Sequence, residues 1–132
     1  MEIIEWLKSY REREAALAWQ GTFAEYLPMV IENPSLAIHA HGRIYEIIRR
    51  AGIIKNEDGT KTYQFFTQEL FGLEKTLERL VEEYFHSAAK RLDVRKRILL
   101  LMGPVSGGKS TIVTMLKKGL EEFTTTDEGA VY

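Results

Sequence analysis

The stretch that decides the fold is ILLLMGPVSGGKS, residues 98–110. Its first five residues are all apolar, which is typical of a central strand buried on both faces. Its last eight residues match the phosphate-binding pattern G-x-x-x-x-G-K-[ST] in full. Apolar residues follow at helical spacing and predict a helix that ends near Glu122. Strand, glycine-rich loop and helix together place the chain in the α/β class.

Each fixed position of this loop has a chemical reason. Gly103, Gly107 and Gly108 let the backbone take positive φ and approach a bulky anion closely. The loop amides and the start of the next helix present partial positive charge to a β-phosphate. Lys109 would reach the β- and γ-phosphates, and the Ser110 hydroxyl would bind Mg²⁺. The loop therefore predicts a nucleoside triphosphate with Mg²⁺, but neither its base nor the fate of its γ-phosphate.

Transfer or hydrolysis of that phosphate needs a second acid for Mg²⁺ and an arginine. Both belong on elements after the loop helix, where Asp127 and Glu128 are the only later acids outside the helix region. We interpret these two as part of a solvated loop, because charged residues are mostly exposed. A single strand with its helix does not complete a parallel sheet. We therefore expect the N-terminal portion of a longer protein, the alternative being a small domain that dimerises to share its sheet.

The first 52 residues predict helices. An amphipathic helix should end near Trp19 and Gly21. Thr22 and Glu25 fit a capping box that starts a second helix, although Pro28 predicts that this helix is short, kinked or begins later. Asn33 and Pro34 predict the start of a third helix, and Gly52 suits its end. Its predicted core positions are Ile44, Ile47, Ile48 and Ala51.

A hairpin and a long helix are predicted next. Asp58 and Gly59 lie between Ile53-Ile54 and Tyr63–Phe66, which indicates a hairpin turn. Leu73, Leu77, Leu80, Val81, Tyr84, Phe85 and Ala88 then follow 3/4 spacing. This pattern predicts a helix over residues 70–91, with charged residues on the opposite face.

The composition excludes several classes of protein. The 132 residues include no Cys, which excludes a disulfide scaffold, a Cys-ligated zinc site and thiol catalysis. The N-terminus carries acids and no continuous apolar block, so it is not a signal peptide, and the apolar runs are too short to span a membrane. We therefore expect a cytoplasmic protein. The net charge of -1 argues against a dedicated nucleic-acid binder.

Three further groups allow two interpretations each. The basic cluster Lys90, Arg91, Arg95, Lys96 and Arg97 fits a solvated helix end better than a nucleic-acid or subunit contact. His39 and His41 would lie on different faces of a helix, so a shared metal is not expected, and His86 is expected to be structural. Trp6, Trp19, Phe23 and Tyr26 fit core packing between the first two helices better than a partner groove.

Two stretches show a family resemblance. Residues 69–121, ELFGLEKTLERLVEEYFHSAAKRLDVRKRILLLMGPVSGGKSTIVTMLKKGLE, strongly resemble the PrkA family of bacterial serine protein kinases. The upstream residues 19–48 resemble the region before the ATPase core of that family. The inner loop residues Pro104, Val105 and Ser106 match as well as the fixed ones.

The resemblance implies an AAA-type P-loop core, residues 69–132, behind a helical N-terminal region, residues 1–68. It also implies that Leu70-Phe71-Gly72 is the element that encloses the adenine. Phe71 would pack against the base or simply against the core, and Gly72 would permit close approach. The candidate nucleotide-binding residues are Phe71, Gly72, Gly103, Pro104, Val105, Ser106, Gly107, Gly108, Lys109, Ser110 and Thr111, with Lys109 as the catalytic candidate and Ser110 as the metal ligand.

The implied function is transfer of the ATP γ-phosphate to serine on a protein substrate, with Mg²⁺ and with self-association through the AAA core. The acidic Mg²⁺ motif, the sensor, the arginine finger and the C-terminal kinase-associated region of the family are absent from this sequence. We therefore expect at most residual catalysis by the chain alone. An AAA ATPase that remodels proteins or feeds them to proteolysis is the alternative, and a non-enzymatic partner-binding fragment is the third hypothesis.

Overall fold

The structure is a computed structural model that describes residues 2–90, 99–104 and 107–131. It divides into two compact units. One unit contains Met1–Ile38 and Glu121–Tyr132, and the other contains His39–Leu120. Most described residues are helical, and the described strands form one two-stranded sheet. No described helix is long and apolar enough to cross a membrane.

The first unit begins with the two predicted helices. α1 spans Glu2–Leu17 and α2 spans Phe23–Glu32. The capping box is confirmed: the amide of Glu25 donates to the Thr22 hydroxyl at 3.4 Å, and the Thr22 amide donates to the Glu25 carboxylate at 2.6 Å. α2 is short and continues through Pro28, which has no N–H for the preceding turn.

The third helix is interrupted, whereas the sequence predicted one helix from Pro34 to Gly52. Pro34–Ala37 forms a 3-10 helix, and the Ser35 amide in its first turn donates a hydrogen bond to the Asn33 side chain. The chain is extended at Ile38, and α3 then runs over Ala40–Ala51 in the second unit. His39 causes the restart, because its Nδ1 accepts a hydrogen bond from the Gly42 amide at 3.0 Å.

The predicted hairpin is confirmed. β1 spans Ile53–Lys55 and β2 spans Lys61–Tyr63, paired antiparallel with Ile53 opposite Tyr63. Gly59 takes φ +85° in the turn, where glycine has no Cβ to clash. Asp58 closes the turn by accepting hydrogen bonds from the amide and hydroxyl of Thr60.

The predicted long helix is present but shorter and less regular. α4 spans Glu74–Glu78, a π-helix spans Arg79–His86, and α5 spans Ser87–Ala89, with helical backbone angles at the junctions. The helix begins four residues later than predicted, because Gly72 has φ +73° and breaks the helical path. We refer to Glu74–Ala89 as the central helix.

The core of the second unit lies between the central helix, α3, the hairpin and α6. α6 spans Lys109–Thr124, close to the predicted loop helix. The buried side chains of this core come from α3, β2, the segment that follows β2, the central helix and α6. They are Ile48, Tyr63, Phe66, Leu70, Leu77, Leu80, Val81, Phe85 and Ile112.

The prediction of a buried strand over residues 98–102 is wrong for its described part. Residues 99–102 form no strand, and the side chains of Leu100 and Met102 are 74% and 83% exposed. A central strand gains its stability from ladder bonds to neighbouring strands, and the described residues place none beside this run. The described part of the chain thus lacks the parallel sheet of the α/β class. The remainder of the run, Ile98, lies outside the described residues.

Candidate functional site

The glycine-rich loop leads directly into α6. Lys109 is the first residue of that helix, and its Nζ donates a hydrogen bond to the Gly103 carbonyl at the start of the loop. The Gly107 amide donates to the Pro104 carbonyl at 3.0 Å. The lysine and this turn therefore hold the two ends of the loop together. Val105 and Ser106 lie outside the described residues.

Two glycines of the loop are fixed by close contacts. A Cβ on Gly107 would lie 3.1 Å from the Pro104 carbonyl oxygen. Gly108 has φ +83°, and a Cβ there would lie 3.0 Å from Cδ2 of Leu70. Larger residues at these positions would require the backbone or its neighbours to move. Gly108 thus has the positive φ that the sequence predicts, and Gly107 lies where only a small residue fits, whereas Gly103 has neither a positive φ nor a close contact.

A cleft of about 440 Å³ opens beside the loop. Five of its lining residues belong to the loop and the first turn of α6. The other four precede the central helix. The full lining is Glu69, Leu70, Phe71, Leu73, Gly107, Gly108, Lys109, Ser110 and Thr111. The fold therefore brings the candidate phosphate loop and Phe71 to one cleft, although more than 30 residues separate them in the chain.

Phe71 and Gly72 differ in their surroundings. The Phe71 side chain is 82% exposed, so it is not a core residue. Gly72 does not line this cleft but a neighbouring polar one formed by the hairpin turn and the start of α4. Its φ of +73° and the open space around it show that glycine serves the backbone turn there.

The donor set of the cleft fits a triphosphate with its metal. α6 has 16 residues, and the free amides of its first turn point toward the loop side of the helix. These amides, the Lys109 ammonium and the exposed Ser110 hydroxyl provide positive potential, hydrogen bonds and one oxygen ligand for Mg²⁺. Among the residues that line the cleft, Glu69 alone carries a negative charge.

The other acidic candidates are not part of this cleft. Asp127 and Glu128 are exposed residues of a turn that belongs to the first unit. Within the described residues, no three His, Asp or Glu side chains come together as a metal site. The metal ligand predicted from the sequence, Ser110, therefore has no acidic partner among the cleft residues other than Glu69.

The three histidines have structural contacts. His39 caps α3, and Nε2 of His41 lies 3.3 Å from the Tyr84 hydroxyl. Burial lowers the pKa of His41, and the neighbouring His39 lowers it further. His86 stacks on Tyr45 with ring centroids 4.9 Å apart, and its Nδ1 lies 3.3 Å from the Glu82 carboxylate. The contacts of His41 with Tyr84 and of His86 with Tyr45 join the central helix to α3.

The aromatic residues of the first unit do not form a common core. Trp19 packs against Tyr26, with ring centroids 6.3 Å apart. Trp6 stacks on Tyr10 of its own helix and stays 63% exposed, and Phe23 is also exposed. The core-packing interpretation is therefore wrong for Trp6 and Phe23. Of the basic cluster, Lys90 is exposed, and Arg91, Arg95, Lys96 and Arg97 lie outside the described residues.

Comparison with known proteins identifies the family. The family model of the PrkA AAA domain matches residues 21–132. The chain belongs to the PrkA AAA domain family. This match includes α2, the central helix and the whole glycine-rich loop.

The relatives carry two kinds of name. The whole chain is 65% identical to a Bacillus subtilis (strain 168) protein named "ATP-dependent protease PrkA" and spans 21% of its length. It is 57% identical over 98 residues to an uncharacterized Geobacillus stearothermophilus protein, which it covers completely. It is 30% identical over 119 residues to the "Serine/threonine kinase YeaG" of Escherichia coli (strain K12), of which it spans 18%. No solved structure matches.

Proposed function

We propose that this chain binds Mg·ATP in the cleft beside the glycine-rich loop. One observation carries the proposal: the loop, the positive end of α6 and the exposed Phe71 ring line the same cleft. A nucleotide has a polyanionic end and a flat apolar end, and this cleft offers a surface for each. Membership of the AAA family supports ATP as the nucleotide.

Different residues of the cleft would bind the phosphates, the Mg²⁺ and the adenine of the nucleotide. The amides of Gly107 to Thr111 would hold the β-phosphate, and Lys109 would neutralise the β- and γ-phosphates. The Ser110 hydroxyl would be one ligand of Mg²⁺, which bridges those phosphates when bound. The Phe71 ring would stack on the adenine, and the turn at Gly72 would keep that ring at the cleft.

For the whole protein we propose transfer of the γ-phosphate to a protein serine. In this step the serine oxygen bonds to the γ-phosphorus, the bond from that phosphorus to the β,γ-bridging oxygen breaks, and ADP leaves. The serine proton passes to a base, which must come from the rest of the protein. The kinase name of the Escherichia coli relative and the resemblance described above support this activity. We also propose a cytoplasmic location and self-association through the AAA core.

The second candidate is ATP-dependent proteolysis. It is favoured by the name of the Bacillus subtilis relative, which shares 65% of the residues of this chain. Both candidates use the same ATP site, so they differ only in what the remainder of the protein does with the phosphate. With either, we expect the 132-residue chain alone to show at most residual turnover, because no arginine is among the described residues that line its cleft.

Calorimetric titration tests the ATP site. The chain is titrated with ATP, with and without Mg²⁺, beside Lys109→Ala and the matched control Lys117→Ala. Lys117 is an exposed lysine of the same helix that does not line the cleft. We expect Mg²⁺-dependent binding that weakens at least about tenfold in Lys109→Ala, a loss of about 1.4 kcal/mol, and is unchanged in Lys117→Ala. Absence of binding by the unaltered chain contradicts the proposal.

A second assay separates the two activities in the full-length protein. Casein is incubated with γ-labelled ATP and the full-length protein or its Lys109→Ala variant. Label on phosphoserine of intact casein supports the kinase. Casein fragments that appear with release of free phosphate support the protease. Both signals should disappear in Lys109→Ala.

A further inference from the structure

The four residues before the central helix alternate in environment. Leu70 is buried in the core of the second unit, and Phe71 is exposed on the cleft. Gly72 turns the chain at φ +73°, and Leu73 returns to pack against the core. We call residues 70–73 the base segment. Its two leucines face inward on either side of the Phe-Gly pair.

The base segment touches the phosphate loop at one point. A methyl group built on Gly108 would lie 3.0 Å from Cδ2 of Leu70 and 3.4 Å from Cδ1 of Leu73. The two leucine side chains therefore lie directly against the backbone of Gly108. Leu70 also belongs to the core cluster that contains Ile112, one turn further along α6. The base segment thus contacts the loop at Gly108 and shares a core with the helix that the loop enters.

We propose that Leu70 and Leu73 are positioning residues that hold the phosphate loop and the Phe71 ring in a fixed relation. The proposal rests on the ATP site proposed above and adds a coupling within it. Because the leucines flank Phe71 and pack on Gly108, a movement of the phosphate loop at Gly108 would also move the Phe71 ring. Phosphate binding and base stacking are then cooperative, and a nucleotide that uses both gains more than the sum of its parts.

The coupling is measurable with a ligand that has no base. Inorganic tripolyphosphate presents the same charged chain as ATP but nothing for Phe71 to stack on. Mg·ATP and Mg·tripolyphosphate are titrated into the unaltered chain, Phe71→Ala, Leu73→Ala and Leu73→Met. Leu116→Ala serves as the matched control, since Leu116 is also half-buried against the core but does not line the cleft. Thermal unfolding is recorded for every variant to compare their folding.

The expected results differ by variant. Phe71→Ala should bind ATP about tenfold more weakly and tripolyphosphate within about twofold of the unaltered chain, because only stacking is lost. Leu73→Ala should bind tripolyphosphate at least about fivefold more weakly, since the loop loses its support. Leu73→Met should restore the affinity for both ligands. Leu116→Ala should lower the unfolding temperature and leave both affinities in place.

Three outcomes would overturn the inference. Equal affinities in Leu73→Ala and the unaltered chain would show that the leucine does not position the loop. A loss confined to ATP would make Leu73 a direct contact of the base and not a positioning residue. A similar loss of tripolyphosphate binding in Leu116→Ala would assign the effect to general stability. If the unaltered chain binds neither ligand, the ATP site itself fails, and this coupling fails with it.

Discussion

The central helix and α1 both carry an apolar stripe, but the two stripes have opposite environments. The stripe of the central helix, with Val81 and Phe85, is buried by α3, the hairpin and α6. The stripe of α1, with Ile3, Trp6 and Leu7, is exposed. Both stripes are apparent from 3/4 spacing in the sequence. Spacing therefore predicts that a segment is helical, while the partners that cover it decide how much it contributes to stability.

The difference follows from the source of helix stability. In proteins most of that stability comes from burial of the apolar face and not from intrinsic propensity. The central helix has three neighbouring elements in its own unit, whereas the α1 side chains have few contacts that remove them from water. Residues 99–102 resemble α1 in this respect, because Leu100 and Met102 are apolar and exposed. Substitutions at buried and at exposed apolar positions should therefore differ in their effect on the free energy of unfolding.

The largest effect is expected from paired truncations of the two stripes. Phe85→Ala removes a ring that is 4% exposed and should lower the free energy of unfolding by about 3–5 kcal/mol. Trp6→Ala removes a larger ring from α1 and should change it by less than about 0.5 kcal/mol. Urea denaturation followed by circular dichroism measures both. A comparable loss in Trp6→Ala would show that α1 is covered in solution.

Two glycines allow a comparison of an open and a packed position through a single added Cβ atom. Gly59 and Gly108 have nearly equal φ, +85° and +83°, but a Cβ on Gly59 meets open space and one on Gly108 meets Leu70. Gly59→Ala should cost only backbone strain, about 1 kcal/mol. Gly108→Ala should cost about 2–3 kcal/mol, because overpacking adds to the same strain. Urea denaturation of both variants measures the difference.

The double variant Gly108→Ala with Leu70→Ala serves as the control. Leu70→Ala removes the atom that the new methyl group would meet. The double variant should therefore lose less stability than the sum of the losses in the two single variants. Equal losses in Gly59→Ala and Gly108→Ala would show that Leu70 yields without cost. That result would remove the steric basis of the contact between the base segment and the loop.

A buried hydroxyl links the hairpin to the central helix. The Tyr63 hydroxyl donates to the Glu82 carboxylate at 3.0 Å, and Tyr63→Phe should lower the free energy of unfolding by about 1–2 kcal/mol. Burial, and then the bond to Glu82, raises the pKa of Tyr63 above its ordinary value of 10.0. A raised pKa means that this contribution is complete below pH 10 and is lost as the pH rises further.

Alkaline denaturation measures this loss. The stability difference between the unaltered chain and Tyr63→Phe should shrink above about pH 10, since only in the unaltered chain does unfolding expose a phenol at residue 63 that then ionises and stabilises the unfolded state. Tyr26→Phe is the control, because Tyr26 packs beside Trp19 in the other unit. A difference that stays constant from pH 8 to pH 11 would contradict the role of the buried hydroxyl.

Local signals in the sequence predicted most elements of the fold. The Thr22 capping box, the Asp58-Gly59 turn and the start of α6 depend on residues a few positions apart, and each is present. The break before α3 was missed because a histidine is an uncommon cap, and His39 acts through its ring nitrogen. The strand prediction was wrong for residues 99–102 because a strand depends on neighbours that the local pattern does not contain.

The candidate site was predictable only in part for the same reason. The glycines of the loop, Lys109 and Ser110 are fixed by a contiguous motif, so sequence alone placed them together. The packing of Leu70 and Leu73 on Gly108 joins residues far apart in the chain, so the sequence indicates it only indirectly. The glycine within LFGL was the one available signal, because a positive φ there interrupts the helix and turns the leucines inward. The roles of all these residues toward ATP remain predictions.

The smallest effect is expected from an ion-pair cluster on the open side of α3. Glu46 lies 2.7 Å from Arg49 and 2.8 Å from Arg50, and the hydrogen bond from Arg49 is the main reason that the pKa of Glu46 falls to about 2. Glu46→Gln should cost only about 0.5–1 kcal/mol at pH 7, because both arginines are largely in solvent and water screens the pairs. A depressed pKa gives a contribution that is complete above about pH 4.5 and is lost as the pH falls toward 2.

Urea denaturation at pH 7 and pH 2.5 should therefore show a difference in stability between Glu46→Gln and the unaltered chain at pH 7 and little difference at pH 2.5. Glu83→Gln, at an exposed pair 3.5 Å from Arg79, is the control and should show no difference at either pH. A loss above about 2 kcal/mol for Glu46→Gln would mean that this face of α3 is shielded from water in solution, as the central helix is and α1 is not.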